Sequence, residues 1–156
     1  MSKDPLKVLD TVVGLDPSMT GTGLATRRGL YTFKTKPKDG DAIDRGLSVA
    51  RLVCKNIPSD TTIIFIEKPI VYGRGSSAHL HQFVGALRAG IKLWNPASCE
   101  MVEVSPSTIK KEATGSGRAS KEDMLEACRD IGLEVENDNE ADAYWLARHV
   151  EYHDLE

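Results

Sequence analysis

Residues 61–67 read TTIIFIE, four consecutive bulky apolar residues ending on a carboxylate. Extended, this run is apolar on both faces, so it can only be the buried central strand of a sheet covered on both sides. Pro58-Ser59-Asp60 bounds it upstream. A second β-branched run, Thr11–Asp16 (TVVGLD), also ends on an acid, and Pro17, which cannot donate to a central ladder, stops it. Gly21–Thr26 and Leu30–Lys34 read as two further strands joined by a hairpin turn at Arg27, Arg28 and Gly29. Glu100–Val104 (EMVEV) reads as a fifth. Helical periodicity covers Asp41–Ile57 and His79–Trp94, with a short helix over Pro106–Glu112. Ser120 with Asp123 three residues on predicts an N-cap opening a helix to about Ile131. Asn137, Asp138 and Asn139 are cap-type residues ahead of a last helix, Glu140–Val150. Residues 35–40, Val71–Ser77 and Ala113–Arg118 read as loops, the second of them mobile. The order implies an α/β fold, a mixed five-stranded sheet flanked by helices.

The chain of 156 residues suits one domain, taken as residues 11–156 behind a loose lead-in at 1–10. With only 6% aromatic residues, aliphatic side chains must fill the core. The formal charge of −3 does not announce a nucleic-acid partner, but a binding face needs only a local basic patch. Three scattered cysteines argue for a reducing compartment rather than a disulfide framework. Cys54 and Cys128 fall on apolar helix faces and read as core packing. No run is long enough for a signal peptide or membrane helix, so the expectation is a cytoplasmic protein that touches no membrane.

A carboxylate at the end of a buried strand is costly unless it is paired or binds a cation. Asp16 and Glu67 both occupy such a position. For either alone, a structural salt bridge or a cap is as good a reading; two strands ending alike favour a shared site. In NDNEADAYWLA, Asp138 and Asp142 lie one turn apart on one helix face, as do Asn139 and Asp142, while Glu140 points elsewhere. Acids in a first turn also favour the helix dipole, which is the competing explanation of this stretch. Clustered carboxylates make chemical sense mainly around a hard cation, and Mg²⁺ takes oxygen ligands while leaving positions for water and phosphate. Two such ions could activate a water and stabilise the leaving oxygen of a phosphodiester, which predicts a nuclease or a phosphoryl-transfer enzyme.

VVGLDPSMTGTGLA (12–25), IIFIEKP (63–69), VSPSTIKKEATGSGRASKEDM (104–124) and NEADAYWLA (139–147) together resemble the RuvC family of Holliday-junction resolvases, within the RNase H-like superfamily. The resemblance spans most of the chain. It implies an RNase H-like fold, a homodimer, and paired metal-dependent nicks across a four-way DNA junction. Forks and flaps are further candidate substrates, and Mn²⁺ is expected to substitute for Mg²⁺. The metal-binding acids of the family map onto Asp16, Glu67 and Asp142. Three residues before the last acid the family places Asp or His, and here Asn139 stands. Either Asp138 supplies that carboxylate from the neighbouring position, completing a catalytic set of Asp16, Glu67, Asp138 and Asp142, or Asn139 ligates through its amide oxygen. Such variation points to a bacteriophage-type member, acting in the host cytoplasm.

For DNA contacts, the segment around TGSG carries Lys110, Lys111, Arg118 and Lys121 against one acid, Glu112. Lys110 and Lys121 fall at the family's basic positions; a solvated loop is the plainer alternative. Arg27, Arg28, Lys34, Lys36 and Lys38 form a second basic run that either extends the DNA track or solvates a hairpin. Beyond Glu67, where family members place a junction-wedging aromatic, stands Ile70, with Tyr72 nearby as a stacking candidate and Arg74 as a phosphate contact. His79 and His81 diverge on a helix, and His149 with His153 makes a poor zinc site. The small residues Gly85, Ala86, Ala89 and Gly90 predict a close-packing helix face, for a dimer partner or for the sheet. Two other functions compete: an actin-like or sugar-kinase-like phosphotransferase fragment, whose phosphate loop DPSMTGTG resembles, and a non-catalytic branched-DNA-binding module.

Overall fold

The computed structural model describes residues 4–69, 76–95 and 99–149. In chain order the elements are β1 (Val12–Asp16), β2 (Thr22–Thr26), β3 (Gly29–Phe33), α1 (Ala42–Asn56), β4 (Ile63–Glu67), α2 (Ser76–Trp94), β5 (Glu100–Val104), α3 (Pro106–Thr114), α4 (Lys121–Asp130) and α5 (Asp138–Ala147). The strands form one mixed sheet in the order β3-β2-β1-β4-β5. β1, β2 and β3 are antiparallel neighbours, and β4 lies parallel to both β1 and β5. TTIIFIE thus sits inside the sheet, as its two apolar faces require.

Strand side chains alternate between the two faces. Val13, Leu15, Leu24, Ile64 and Ile66 face α1 and α2, meeting Val49, Val53, Phe83 and Leu87 in one core layer. Ala25, Phe65 and Val104 face α3, α4 and α5, meeting Ile109, Met124, Cys128 and Tyr144 in the other. The same parity sends Gly14, Asp16 and Glu67 to the α5 side. Burial pushes the Cys128 thiol up to about 11, in keeping with a packing role.

Several expected boundaries move. The lead-in is tied down from residue 5: the Tyr144 hydroxyl donates to the Pro5 carbonyl at 2.8 Å and Leu9 is buried. α2 begins at Ser76, so the end of the stretch expected to be mobile is helical, while Ile70, Tyr72 and Arg74 lie outside the described residues. α3 runs on to Thr114 and closes on Gly115, whose φ of 88° is the left-handed conformation that glycine adopts without strain. α5 begins two residues before the expected start, because Asn137 is the cap, its side chain accepting from the Glu140 amide. The small-residue face of α2 packs on α1, which was neither of the partners expected. A Cβ on Gly90 would lie 2.5 Å from that of Ala50, and one on Gly46 of α1 2.9 Å from that of Ala86. Among the described residues, no helix is long and apolar enough to cross a membrane.

Candidate metal centre and cleft

Asp16 ends β1 and Glu67 ends β4. Because the two strands are parallel and in register, both carboxylates emerge at one end of the sheet on the α5 face. The third acid arrives from α5, and only a close approach of that helix brings it in. Gly14 and Gly23 provide the space. A Cβ on Gly14 would stand 1.8 Å from the Ala143 carbonyl oxygen, and one on Gly23 2.2 Å from that of Asn139. The helix backbone therefore rests directly on β1 and β2, as glycine inside a strand allows. Ligand oxygens of Asp16, Glu67 and Asp142 then lie within 4.8 Å of one another.

The electrostatics follow from that crowding. Asp16 is 4% exposed. Its carboxyl is held well above the usual range, first by burial, then by the charges of Glu67, Asp142 and Asp138. Asp142 is pushed up to about 7 by burial and by Glu67 and Asp138, against the opposing pull of Lys110 and Lys121. A set of oxygen donors that repel one another in this way fits a hard divalent cation, whose charge would remove the repulsion.

A cleft of about 320 Å³ opens over the acids. Glu67, Asp138 and Asp142 line one side with Lys110 and Lys121; Pro69, Leu80, Val84 and Met124 form an apolar wall. Lys110 projects from α3 and Lys121 opens α4, its ammonium 3.6 Å from Asp138. Lys111 and Arg118 are exposed and lie outside the cleft lining. Asp138 therefore joins the acid cluster at its edge. Asn139 does not: its amide nitrogen lies 3.3 Å from the position a Cβ on Gly21 would take, over the β2 side. Glu140 is turned fully away, accepting from the Thr32 hydroxyl at 2.8 Å and the Glu136 amide at 3.1 Å.

The second basic run is divided by the hairpin. Arg27 and Arg28 lie at the end of the sheet remote from Asp16, where Arg27 pairs with Asp60 at 2.8 Å. Lys34, Lys36 and Lys38 follow β3 at the same end as the acids. His149 lies away from the cluster: its ring packs edge-on against Phe65 and pairs with Glu112 at 2.8 Å. Sequence reasoning missed the roles of Gly14 and Gly23, although a glycine interrupting a β-branched run is itself a signal of close backbone approach.

The crowding carries a stability prediction. Without metal, the folded chain keeps protons on Asp16 and Asp142 that the unfolded chain has released, so their contribution is full below about pH 4 and is lost as pH rises toward 7. Asp142→Asn removes part of that loss. In EDTA the melting temperature of the variant relative to wild type should climb between pH 5 and 7.5, by up to roughly 5–10 °C at ~1.36 kcal/mol per pKa unit and ~2–4 °C per kcal/mol. Parallel melting curves would show that the acids do not crowd one another.

No family model and no curated protein matches the chain. Solved structures do. The Thermus thermophilus RuvC structure superposes with a TM-score of 0.67 at 21% identity, covering 92% of this chain and 95% of that one. T. thermophilus RuvC in complex with a Holliday junction substrate gives 0.64, again at 21% identity, covering 92% and 93%. With the five-stranded mixed sheet, the helices on both faces and the acids at one end, the chain has the RuvC fold, an RNase H-like architecture.

Proposed function

We propose that this chain is a metal-dependent, structure-selective DNA endonuclease that resolves Holliday junctions by paired phosphodiester hydrolysis, acting as a homodimer. The observation that carries the reading is the convergence of Asp16, Glu67 and Asp142 within 4.8 Å, beside two lysines. The fold it shares with T. thermophilus RuvC, which has been solved on a Holliday junction substrate, supports junction DNA as the partner.

In this reading Asp16, Glu67 and Asp142 hold Mg²⁺ or Mn²⁺, with Asp138 at the edge of the set. The chemistry such an ion supplies when bound is Lewis acidity toward water and phosphate oxygens. Lys110 and Lys121 bind the phosphodiester backbone as it enters the cleft. The apolar wall of Pro69, Leu80, Val84 and Met124 excludes bulk water, which strengthens each charge interaction inside.

The test is a panel of four-way junctions, forks, flaps and linear duplex, incubated with Mg²⁺ or Mn²⁺, with ATP hydrolysis measured beside it. Metal-dependent, paired cuts in the junction are expected. Junction binding with no cutting under either metal would make the chain a binding module. ATP turnover without DNA cutting would make it a phosphotransferase. A second expectation concerns affinity: Lys110→Ala with Lys121→Ala should weaken junction binding and reduce the slope of log K against log salt by about 1.8, at ~0.9 per phosphate. An unchanged slope would remove both lysines from the interface.

A further inference from the structure

Asn139 stands among carboxylates yet points away from them. On α5, Asp138 and Asp142 face the cleft, while Asn139 is turned about 100° from Asp138 toward the end of β2. Its backbone carbonyl oxygen lies over Gly23, and its side-chain nitrogen and a Thr32 methyl each lie 3.3 Å from where a Cβ on Gly21 would stand. The side chain is partly exposed, and among the described residues its amide makes no hydrogen bond. This is a neutral, half-buried donor one residue from Asp138.

The strand register places cations along the same rim. Asp16, Gly23 and Thr32 lie abreast across β1, β2 and β3. Lys34 follows Thr32 by two residues and leaves on the same face. At ~4.8 Å between strands and ~3.4 Å per residue, its Cα is roughly 12 Å from that of Asp16, about three nucleotides of one DNA strand at ~3.4 Å each. Lys34 and Lys36 are exposed, and among the described residues neither ammonium pairs with a carboxylate. Lys110 and Lys121 reach the acids from α3 and α4, the Lys121 ammonium lying 3.6 Å from Asp138.

Two hydrogen-bond networks, part-buried and buried, fix this rim. The Thr32 hydroxyl donates to Glu140 and accepts from the Asn137 amide at 2.9 Å, joining β3 to the first turn of α5. Arg45, 7% exposed, donates to the Thr35 hydroxyl at 2.8 Å and to the Met19 carbonyl at 2.9 Å. It thereby ties the segment leaving β3 to the loop after Asp16. A buried guanidinium bound to three neutral loop oxygens, the Thr35 carbonyl at 3.3 Å being the third, holds the spacing of those loops. Acids bound the strip: Asp39 accepts from the Lys36 backbone amide beside Lys38, and Lys34 lines a hollow that Glu134, Glu136 and Glu140 also line.

We propose that Asn139, Lys34 and Lys36 form a phosphate-binding strip that carries the DNA strand away from the acid cluster along the ends of β2 and β3. Asn139 acts there as a hydrogen-bond donor to phosphate and not as a metal ligand. The proposal rests on the nuclease reading and adds the path of the strand.

The experiment is equilibrium binding of a fluorescent four-way junction in EDTA across a salt series, with Mg²⁺-dependent melting run on the same proteins. Lys34→Ala with Lys36→Ala is expected to weaken binding about tenfold and lower the salt slope by about 1.8, at ~0.9 per phosphate. Asn139→Asp adds a charge where phosphate would lie, so it should weaken binding three- to tenfold and leave the Mg²⁺ midpoint of thermal stabilisation unchanged. Arg28→Ala, at the remote end of the sheet, should change neither. An unchanged slope in the lysine variant overturns the strip. A lower Mg²⁺ midpoint with retained binding in Asn139→Asp makes residue 139 a metal ligand and overturns its assignment. Absence of junction binding by the wild-type chain would instead fell the nuclease reading itself.

Discussion

Asp16→Asn is expected to abolish junction cleavage, by at least about 10³-fold, roughly 4 kcal/mol of barrier at 1.36 kcal/mol per decade, while leaving junction binding intact. The substitution keeps the shape of the side chain and removes its charge. Asp16 is the most buried of the three acids, and the charges of both others act on it. Losing it removes one of the three carboxylates that Asp16, Glu67 and Asp142 jointly offer to a cation, and an amide oxygen is a weak substitute for a carboxylate toward Mg²⁺. In the proposed reading DNA affinity rests on Lys110, Lys121 and the rim, which the change does not touch. The folded chain should gain stability in EDTA, since a neutral amide escapes the burial cost and the repulsion that together hold the Asp16 carboxyl above its usual range. Single-turnover cleavage at saturating protein, with a gel-shift titration and a melting curve, checks all three. Retained cutting would place the chemistry elsewhere. Loss of binding together with cutting would assign Asp16 a structural role.

How far the sequence shows this site differs from acid to acid. Asp16 and Glu67 are legible because their anomaly is local: each ends a run that must be buried, and burial of an unpaired charge is costly. Asp142 is less legible, since an acid early in a helix has an ordinary explanation in the helix dipole. Its membership depends on where α5 lies, which is a long-range fact. The start of that helix shows the same limit. Asn137, Asp138 and Asn139 are all good caps by residue type, and the choice falls to Asn137 because its other hydrogen bond, to Thr32 on β3, is satisfied only in that register. That choice also decides that Asp138 faces the cleft and Asn139 faces β2. The α2 face of small residues was visible as a close-packing surface, but composition does not name its partner; α1 carries the matching Gly46 and Ala50.

Gly14→Ala is the substitution expected to disturb the fold most for its size. Its new Cβ would stand 1.8 Å from the Ala143 carbonyl oxygen and 2.7 Å from the Ala147 amide nitrogen, both backbone atoms of α5. No rotamer change relieves a clash with a helix backbone, so α5 must move outward by an ångström or more. Overpacking of this kind costs about 1–3 kcal/mol, which for a chain of this size is roughly 3–10 °C in melting temperature. The larger consequence is chemical. α5 carries Asp142, and a displacement of about 1 Å in a reacting geometry costs on the order of 10²-fold in rate. Gly14→Ala should therefore cut more slowly even below its melting temperature, with a higher Mg²⁺ requirement and unchanged junction affinity. Gly23→Ala, 2.2 Å from the Asn139 carbonyl oxygen, should behave alike. Gly85→Ala supplies the contrast, because nothing lies within 4 Å of its added Cβ. In mid-helix it should raise stability by about 0.5–1 kcal/mol and leave cleavage alone. If Gly14→Ala melts and cuts as the wild type does, α5 does not rest on β1, and the route by which Asp142 reaches Asp16 and Glu67 is wrong.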